Sequence, residues 1–314
     1  DFVENINSED KLGKPMLNIN NPTDNGNFNF MYLPYFRERT FPAPNGRIRF
    51  VLPVESNNQD MNGLSHWNPD WAVRWSKTFG DWDLGIAHFN GISREPRLIV
   101  AFPGGNFINP TGPPTLIPTY DLIHQTSLDL QGAVGNWLIK LEAMTRSGQS
   151  DRFGAVVGGV EYTHYGVLDT SIDLGLLSEF QYDSRKQRIS DLNPVVPPTA
   201  ADNDLFLGTR IAFNDTQNSQ ILMGTIIDIK TQATVFSIEA SRRLGDNWKL
   251  ELESRVFANI PDSDILAGYR RDDYVQLSLT RYLSDLNPSP KIKDTLLASS
   301  VQNIQSQQTG IQEA

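Results

Sequence analysis

The chain has 314 residues, of which 39% are apolar, 10% aromatic and 20% charged, enough apolar material for a folded core and too much for a disordered chain. A net charge of −10 without any Lys/Arg run argues against a nucleic-acid partner, and the absence of cysteine excludes disulfides and Cys-ligated metals. No apolar run approaches the roughly 18 residues of a transmembrane helix, whereas a transmembrane β-barrel, polar at every second strand position, stays open.

The length suits two ordinary domains or one large barrel. The first residue is Asp1, and no signal peptide is evident, so a mature form or a fragment is expected. Residues 1–26 are expected to hold at most an incomplete strand or the scar of a truncation, with a brief alternation from Met16 to Asn20. Segment 27–36 is aromatic-rich and of ambiguous facing. Segment 47–53 sets Ile48, Phe50 and Leu52 against Arg47 and Arg49. Segments 71–78 and 82–89 carry Trp71, Val73 and Trp75, then Trp82, Leu84 and Ile86, on one face. Segments 119–133 and 152–165 alternate more weakly, with Gly154, Gly158 and Gly159 loosening the second. Between them, 136–146 opposes Trp137, Ile139, Leu141 and Ala143 to Lys140, Glu142 and Arg146. In 169–183, Ile172, Leu174, Leu176, Phe180 and Tyr182 oppose Asp173, Glu179 and Asp183.

Five consecutive segments then match one period-two template: 204–214, 220–230, 234–243, 248–258 and 274–283. Their polar faces carry Asp204 and Arg210, Asp228 and Lys230, Glu239 and Arg243, Lys249, Glu251, Glu253 and Arg255, and lastly Gln276. Helical spacing fits none of them. The segments are long for soluble strands, which average about 5–6 residues, and match the roughly 9–11 of a tilted membrane strand. Every long join (54–69, 90–118, 184–202, 259–272) falls on one side of the sheet, as extracellular loops do in outer-membrane barrels. Aromatic residues gather near segment ends: Tyr35, Phe36, Trp71, Trp82, Phe89, Trp137, Tyr162, Tyr165, Tyr182, Trp248, Tyr274 and Tyr282. Amphipathic rings favour a membrane–water interface, although aromatics are common in any strand.

The strands from 203 to 283, ending Tyr274-Val275-Gln276-Leu277-Ser278-Leu279-Thr280-Arg281-Tyr282-Leu283, resemble the closing strands of a Gram-negative outer-membrane β-barrel. The stretches 31–42 (Met-Tyr-Leu-Pro-Tyr-Phe-Arg-Glu-Arg-Thr-Phe-Pro) and 70–76 (Asp-Trp-Ala-Val-Arg-Trp-Ser) are similar to uncharacterised porin-like proteins of proteobacteria. The resemblance spans about 27–283 as a pattern and is specific for architecture, not substrate. It implies an all-β fold: a transmembrane antiparallel up-and-down β-barrel in the cell outer membrane. Its partners would be outer-membrane lipids and lipopolysaccharide, the barrel-assembly machinery and a homo-oligomer. A 31-residue polar tail, 284–314, follows where such chains usually end, and reads as a periplasmic extension. Thirteen segments are visible and a single-chain bacterial barrel has an even number, so about 14 strands are expected, or 16–18 if an N-terminal piece is missing.

If the apolar faces meet lipid, the polar faces line a lumen. The pore-lining candidates are Arg47, Arg49, Arg74, Lys140, Glu142, Arg146, Asp173, Glu179, Arg210, Asp228, Glu239, Arg243, Glu251, Glu253 and Arg255, with Asp129 and Glu161 on the same side. Such a wall either holds water and selects ions, or its charges pair across strands and fill the interior. The Pro/Gly-rich join 91–118 either folds inward as a constriction, with Arg94, Glu95 and Arg97 near an eyelet, or lies over the mouth.

Enzyme constellations are thin. His66, His88, His124 and His164 stand at no metal-ligand spacing, and no nucleophile elbow, P-loop or dinucleotide fingerprint follows a strand. The acidic loop Asp262, Asp264, Asp272, Asp273 lacks EF-hand spacing. No cofactor, metal or catalytic residue is assigned. The expectation is a porin-like channel for passive diffusion of small polar solutes or ions. A soluble or surface glycan-binding β module and a plugged barrel with an enzymatic or structural role are the alternatives.

Overall fold

The computed structural model describes residues 13–46, 49–57, 59–102, 112–149, 151–185, 196–199, 202–262 and 264–283. The tail 284–314, the N-terminal dozen residues and part of the proline-rich join lie outside them. The strands are β1 (Leu17–Thr23), β2 (Gly26–Leu33), β3 (Asp70–Phe79), β4 (Trp82–Ile92), β5 (Arg97–Ala101), β6 (Thr115–Thr119), β7 (Leu122–Val134) and β8 (Trp137–Ser147). After them come β9 (Phe153–His164), β10 (Asp173–Asp183), β11 (Asn203–Ala212), β12 (Gln220–Asp228), β13 (Thr234–Leu244), β14 (Trp248–Ala258) and β15 (Tyr274–Arg281). Among the described residues there is no α-helix.

Thirteen strands form one antiparallel meander, in the order β1-β2-β3-β4-β7 and then consecutively to β15; β5 and β6 pair only with each other. The all-β class and the up-and-down order agree with expectation; closure does not. The ladder ends at β1 and β15, which do not pair. Because the number is odd, these two edges run in the same direction, so antiparallel pairing between them is excluded by topology.

One expected strand is absent, and the brief alternation from Met16 to Asn20 is realised as a strand. Residues 49–53 form no ladder, because β2 and β3 pair directly and leave no edge between them. Pro44 and Pro53 also bracket the segment, and proline cannot donate to a ladder. In its place β1 pairs with β2 from Leu17↔Tyr32 to Thr23↔Gly26.

Joins at one rim are at most eight residues long. They include two-residue turns in which Gly80 and Gly135 take left-handed φ values of 61° and 60°. The other rim carries all the long joins: β2–β3, β4–β7, β10–β11 and β14–β15. Two of these, from opposite ends of the strand order, meet: Arg49 Nη1 lies 3.4 Å from Asp272 Oδ2, and Gly268 packs on the backbone of Arg49.

Directly opposed residues of an antiparallel ladder share a face. One row runs Ser76↔Gly85↔Asp129↔Glu142↔Val157↔Gln181↔Asp204↔Asp228. The row beside it runs Trp75↔Ile86↔Leu128↔Ala143↔Val156↔Tyr182 on the opposite face. The apolar face is the exposed one: Ile86 is 42% exposed, Leu176 52% and Leu277 68%. The polar face is the buried one, with Gln125, Arg146, Glu179, Asp204 and Arg255 all below 9%. The one other sheet among the described residues is the two-stranded β5–β6 pair, which belongs to a long join.

Candidate functional site

The polar face is built on glycines. Arg74 on β3 and Asp129 on β7 flank β4, and they meet across it in a two-pronged ion pair of 2.5 and 2.8 Å. Gly85 lies beneath, and a Cβ there would overlap both side chains. The device repeats at Gly175 on β10, which lies beneath the Glu161–Arg210 ion pair joining β9 to β11. At Gly159 on β9, Lys140 and Glu179 stand directly opposite on either side. Farther along, Arg255 contacts Glu239 at 2.5 Å and Glu253 at 3.7 Å, Tyr274 donates to Glu253, and Lys249 meets Glu251 at 2.6 Å.

Register therefore puts Arg74, Lys140, Glu142, Arg146, Glu179, Arg210, Glu239, Arg243, Glu251, Glu253 and Arg255 on one face of the sheet. Asp173 and Asp228 start from that face but serve turns. Asp173 accepts from Gly166 N at 3.0 Å and Asn214 Nδ2 at 2.7 Å, and Asp228 accepts from Lys230 N and Thr231 N. Lys230 is turned to Asp202 at 2.8 Å. Arg49 belongs to the β2–β3 join, not to a strand, and Arg47 lies outside the described residues.

At the long-join rim a cap lies on this face. Arg94 contacts buried Asp70 at 2.5 Å, its guanidinium 5.4 and 5.2 Å from the Phe36 and Phe89 rings. Asp70 also accepts from Ile92 N. Arg97 grips Asp121 with two bonds, of 2.6 and 2.8 Å, at the base of the β5–β6 hairpin. Tyr120 is fully buried against Phe36; its hydroxyl donates to Gln59 Oε1 at 2.6 Å and accepts from Arg39 N at 2.8 Å. Bridges at Val54↔Leu116 and Asp60↔Thr119 fasten the β2–β3 join along β6. Phe36, expected at a membrane interface, is thus interior to the cap.

Glu95 is the centre of this region. Its carboxylate is 2.6 Å from Arg146 on β8 and 3.4 Å from Arg185 in the β10–β11 join. Burial would raise its pKa, but Arg146, Arg185 and Arg39 outweigh that and hold it below the usual carboxylate range. Burial pushes Arg39 down to about 10, against the opposing pull of Glu95, and pushes the Tyr269 phenol up to about 12. All three expected constriction residues, Arg94, Glu95 and Arg97, are therefore engaged in ion pairs. Sequence reading did not single out their partners Asp70, Asp121 and Arg185, because pairs so far apart leave no local spacing.

The acidic loop holds four carboxylates with four different tasks. Asp262 pairs with Arg270, Asp264 caps Leu266 N, Asp272 meets Arg49 and Asp273 accepts from Phe257 N. Among the described residues no group of three or more His, Asp or Glu is placed to hold a metal. His88 and His124 face outward, bonded to Thr126 and Asn90. On the same outward face Trp82, Trp137, Tyr162 and Trp248 lie at the short-join rim, and Tyr32, Trp71 and Tyr182 at the long-join rim. Comparison of the chain with protein-family models, curated proteins and solved structures found no match.

Proposed function

We propose that the chain forms the wall of an outer-membrane β-barrel channel through which small polar solutes or ions diffuse. One observation carries the reading: the sheet is inside out. Its apolar face is exposed from β2 to β15, while most of its charged face is buried or half-buried. In water this arrangement leaves the hydrophobic effect unspent; in lipid it is the favourable one. Aromatic rings at both margins of the apolar face and the sorting of long joins to one rim support the same reading. A soluble sandwich would instead bury the apolar face against a second sheet.

In this reading the mixed charges of Arg74, Asp129, Lys140, Glu142, Glu161, Glu179, Arg210, Glu239, Glu253 and Arg255 form the lumen wall. Two of these pairs, Arg74–Asp129 and Glu161–Arg210, close over glycines of the strand between them, which keeps those charges in the wall. Closure in lipid takes either a parallel seam between β1 and β15 or an odd number of additional strands, three or five of which give 16 or 18. Conductance across planar bilayers tests the proposal, with selectivity taken from the reversal potential. Reproducible unit steps are expected from inserted protein; inserted protein without steps, or failure to insert, overturns it.

A further inference from the structure

We propose that the β5–β6 strand pair, with the part of the β2–β3 join fastened along it, forms a closable cap latched to the wall by Glu95, and that releasing this carboxylate opens the passage; the proposal rests on the channel reading above. The β5–β6 hairpin makes no ladder with the large sheet, so the backbone does not continue the wall into the cap. The β2–β3 join is fastened to the hairpin, because Val54 and Asp60 bridge to β6 and Leu116 exchanges backbone bonds with Pro53 and Glu55.

Among the described residues, the bonds that tie the β4–β7 join to β8 and to the β10–β11 join run through Glu95. Its carboxylate takes Arg146 at 2.6 Å and Arg185 at 3.4 Å, and its carbonyl accepts from Gln149 Nε2 at 2.8 Å. The two arginines are held ready for it. Arg185 is fixed by Asp183 at 2.7 Å, and both guanidiniums lie on the Phe153 ring, at 5.6 and 4.6 Å from its centre. One side chain thus joins three separately rooted parts of the molecule. Removing one member of such a contact leaves buried charges uncompensated, which costs far more than the contact gains by forming. The Arg94–Asp70 pair differs, since it ties the join to β3, the neighbour of the strand from which the join springs.

The sequence has no cysteine, so a single Thr115→Cys, at a buried hydroxyl of β6, reports cap opening through a membrane-impermeant maleimide. The full chain in bilayers or proteoliposomes is compared with and without Glu95→Gln. Labelling at residue 115 is expected to rise about tenfold or more in Glu95→Gln, together with a larger open fraction in single-channel records. Arg185→Gln, which leaves the Arg146 contact, is expected to give a smaller rise and replaces Glu95→Gln if the latter loses the protease resistance of its wall. Faster labelling without conductance in any variant keeps the latch and overturns the channel reading. Labelling unchanged in both variants overturns the latch, whatever the conductance.

Discussion

The middle of the wall and the cap use the same chemical pair, arginine against carboxylate, in opposite surroundings. Arg74 and Asp129 are each about 30% exposed, whereas Asp70, Asp183 and Arg185 are 0–1% exposed. A pair that keeps its water contributes little, because hydration offsets attraction. A pair stripped of water also gains little by forming, yet leaves an uncompensated charge if one member is removed. The wall is therefore expected to tolerate loss of its pairs and the cap is not.

The largest effect is expected at Asp70. Asp70→Ala leaves the Arg94 guanidinium and the Ile92 amide without their acceptor, so destabilisation of about 3–5 kcal/mol is expected. Denaturant unfolding in detergent micelles measures it, and a loss below about 1 kcal/mol would show that the cap is as wet as the wall.

Acid separates the two regions next. Glu95 has a folded-state pKa below its unfolded value. Its contribution is complete above the unfolded value, near ~4.3, and disappears as pH falls through the lowered folded value. Labelling of Thr115→Cys is thus expected to stay slow from neutral pH down to the ordinary carboxylate range and to rise only below it, and Glu95→Gln should abolish that rise. A rise centred near pH 6 would assign the transition to other groups.

How much of this was legible follows from where each signal lies. β11 to β15 were readable because Leu205, Leu207, Thr209 and Ile211, and their counterparts onward, alternate without interruption. β1 was harder, since Leu17-Asn18-Ile19-Asn20-Asn21-Pro22 is rich in residues that strands avoid. Segment 47–53 alternates as well as many strands do, yet it lost the competition for an edge to β2, a contest that no local window reports. The charged face was legible from period two alone. The cap was not: Glu95 meets Arg146 across 51 positions and Arg185 across 90. Gly159 was read as loosening its strand, when in register it separates Lys140 from Glu179.

Glycine substitutions sharpen the comparison within the wall itself. Gly85→Val is expected to cost about 1–3 kcal/mol, because the new side chain overlaps the Arg74–Asp129 pair and forces both off their rotamers. Gly158→Ala, on the outward face, meets only Leu141 Cδ1 at 3.7 Å, an ordinary contact. It is expected to be neutral or stabilising by about 0.4–1 kcal/mol, since it reduces the freedom of the unfolded chain. Equal effects at the two positions would mean that the wall does not depend on its glycine-bridged pairs.

The smallest effect is expected from the pair that looks strongest by geometry. Arg74 and Asp129 share two short bonds, yet both remain about 30% exposed. A double-mutant cycle of Arg74→Gln and Asp129→Asn is expected to give a coupling of about 1 kcal/mol or less, shrinking as salt is added. Function should respond more than stability. Removing Asp129 alone exposes a fixed positive charge to the passage and should shift the reversal potential toward anions, whereas removing Arg74 alone should shift it toward cations. Opposite shifts of this kind would place both side chains in the conducting path. A coupling of several kcal/mol with no change in selectivity would instead put them in a sealed interior, and the distinction between wall and cap would disappear.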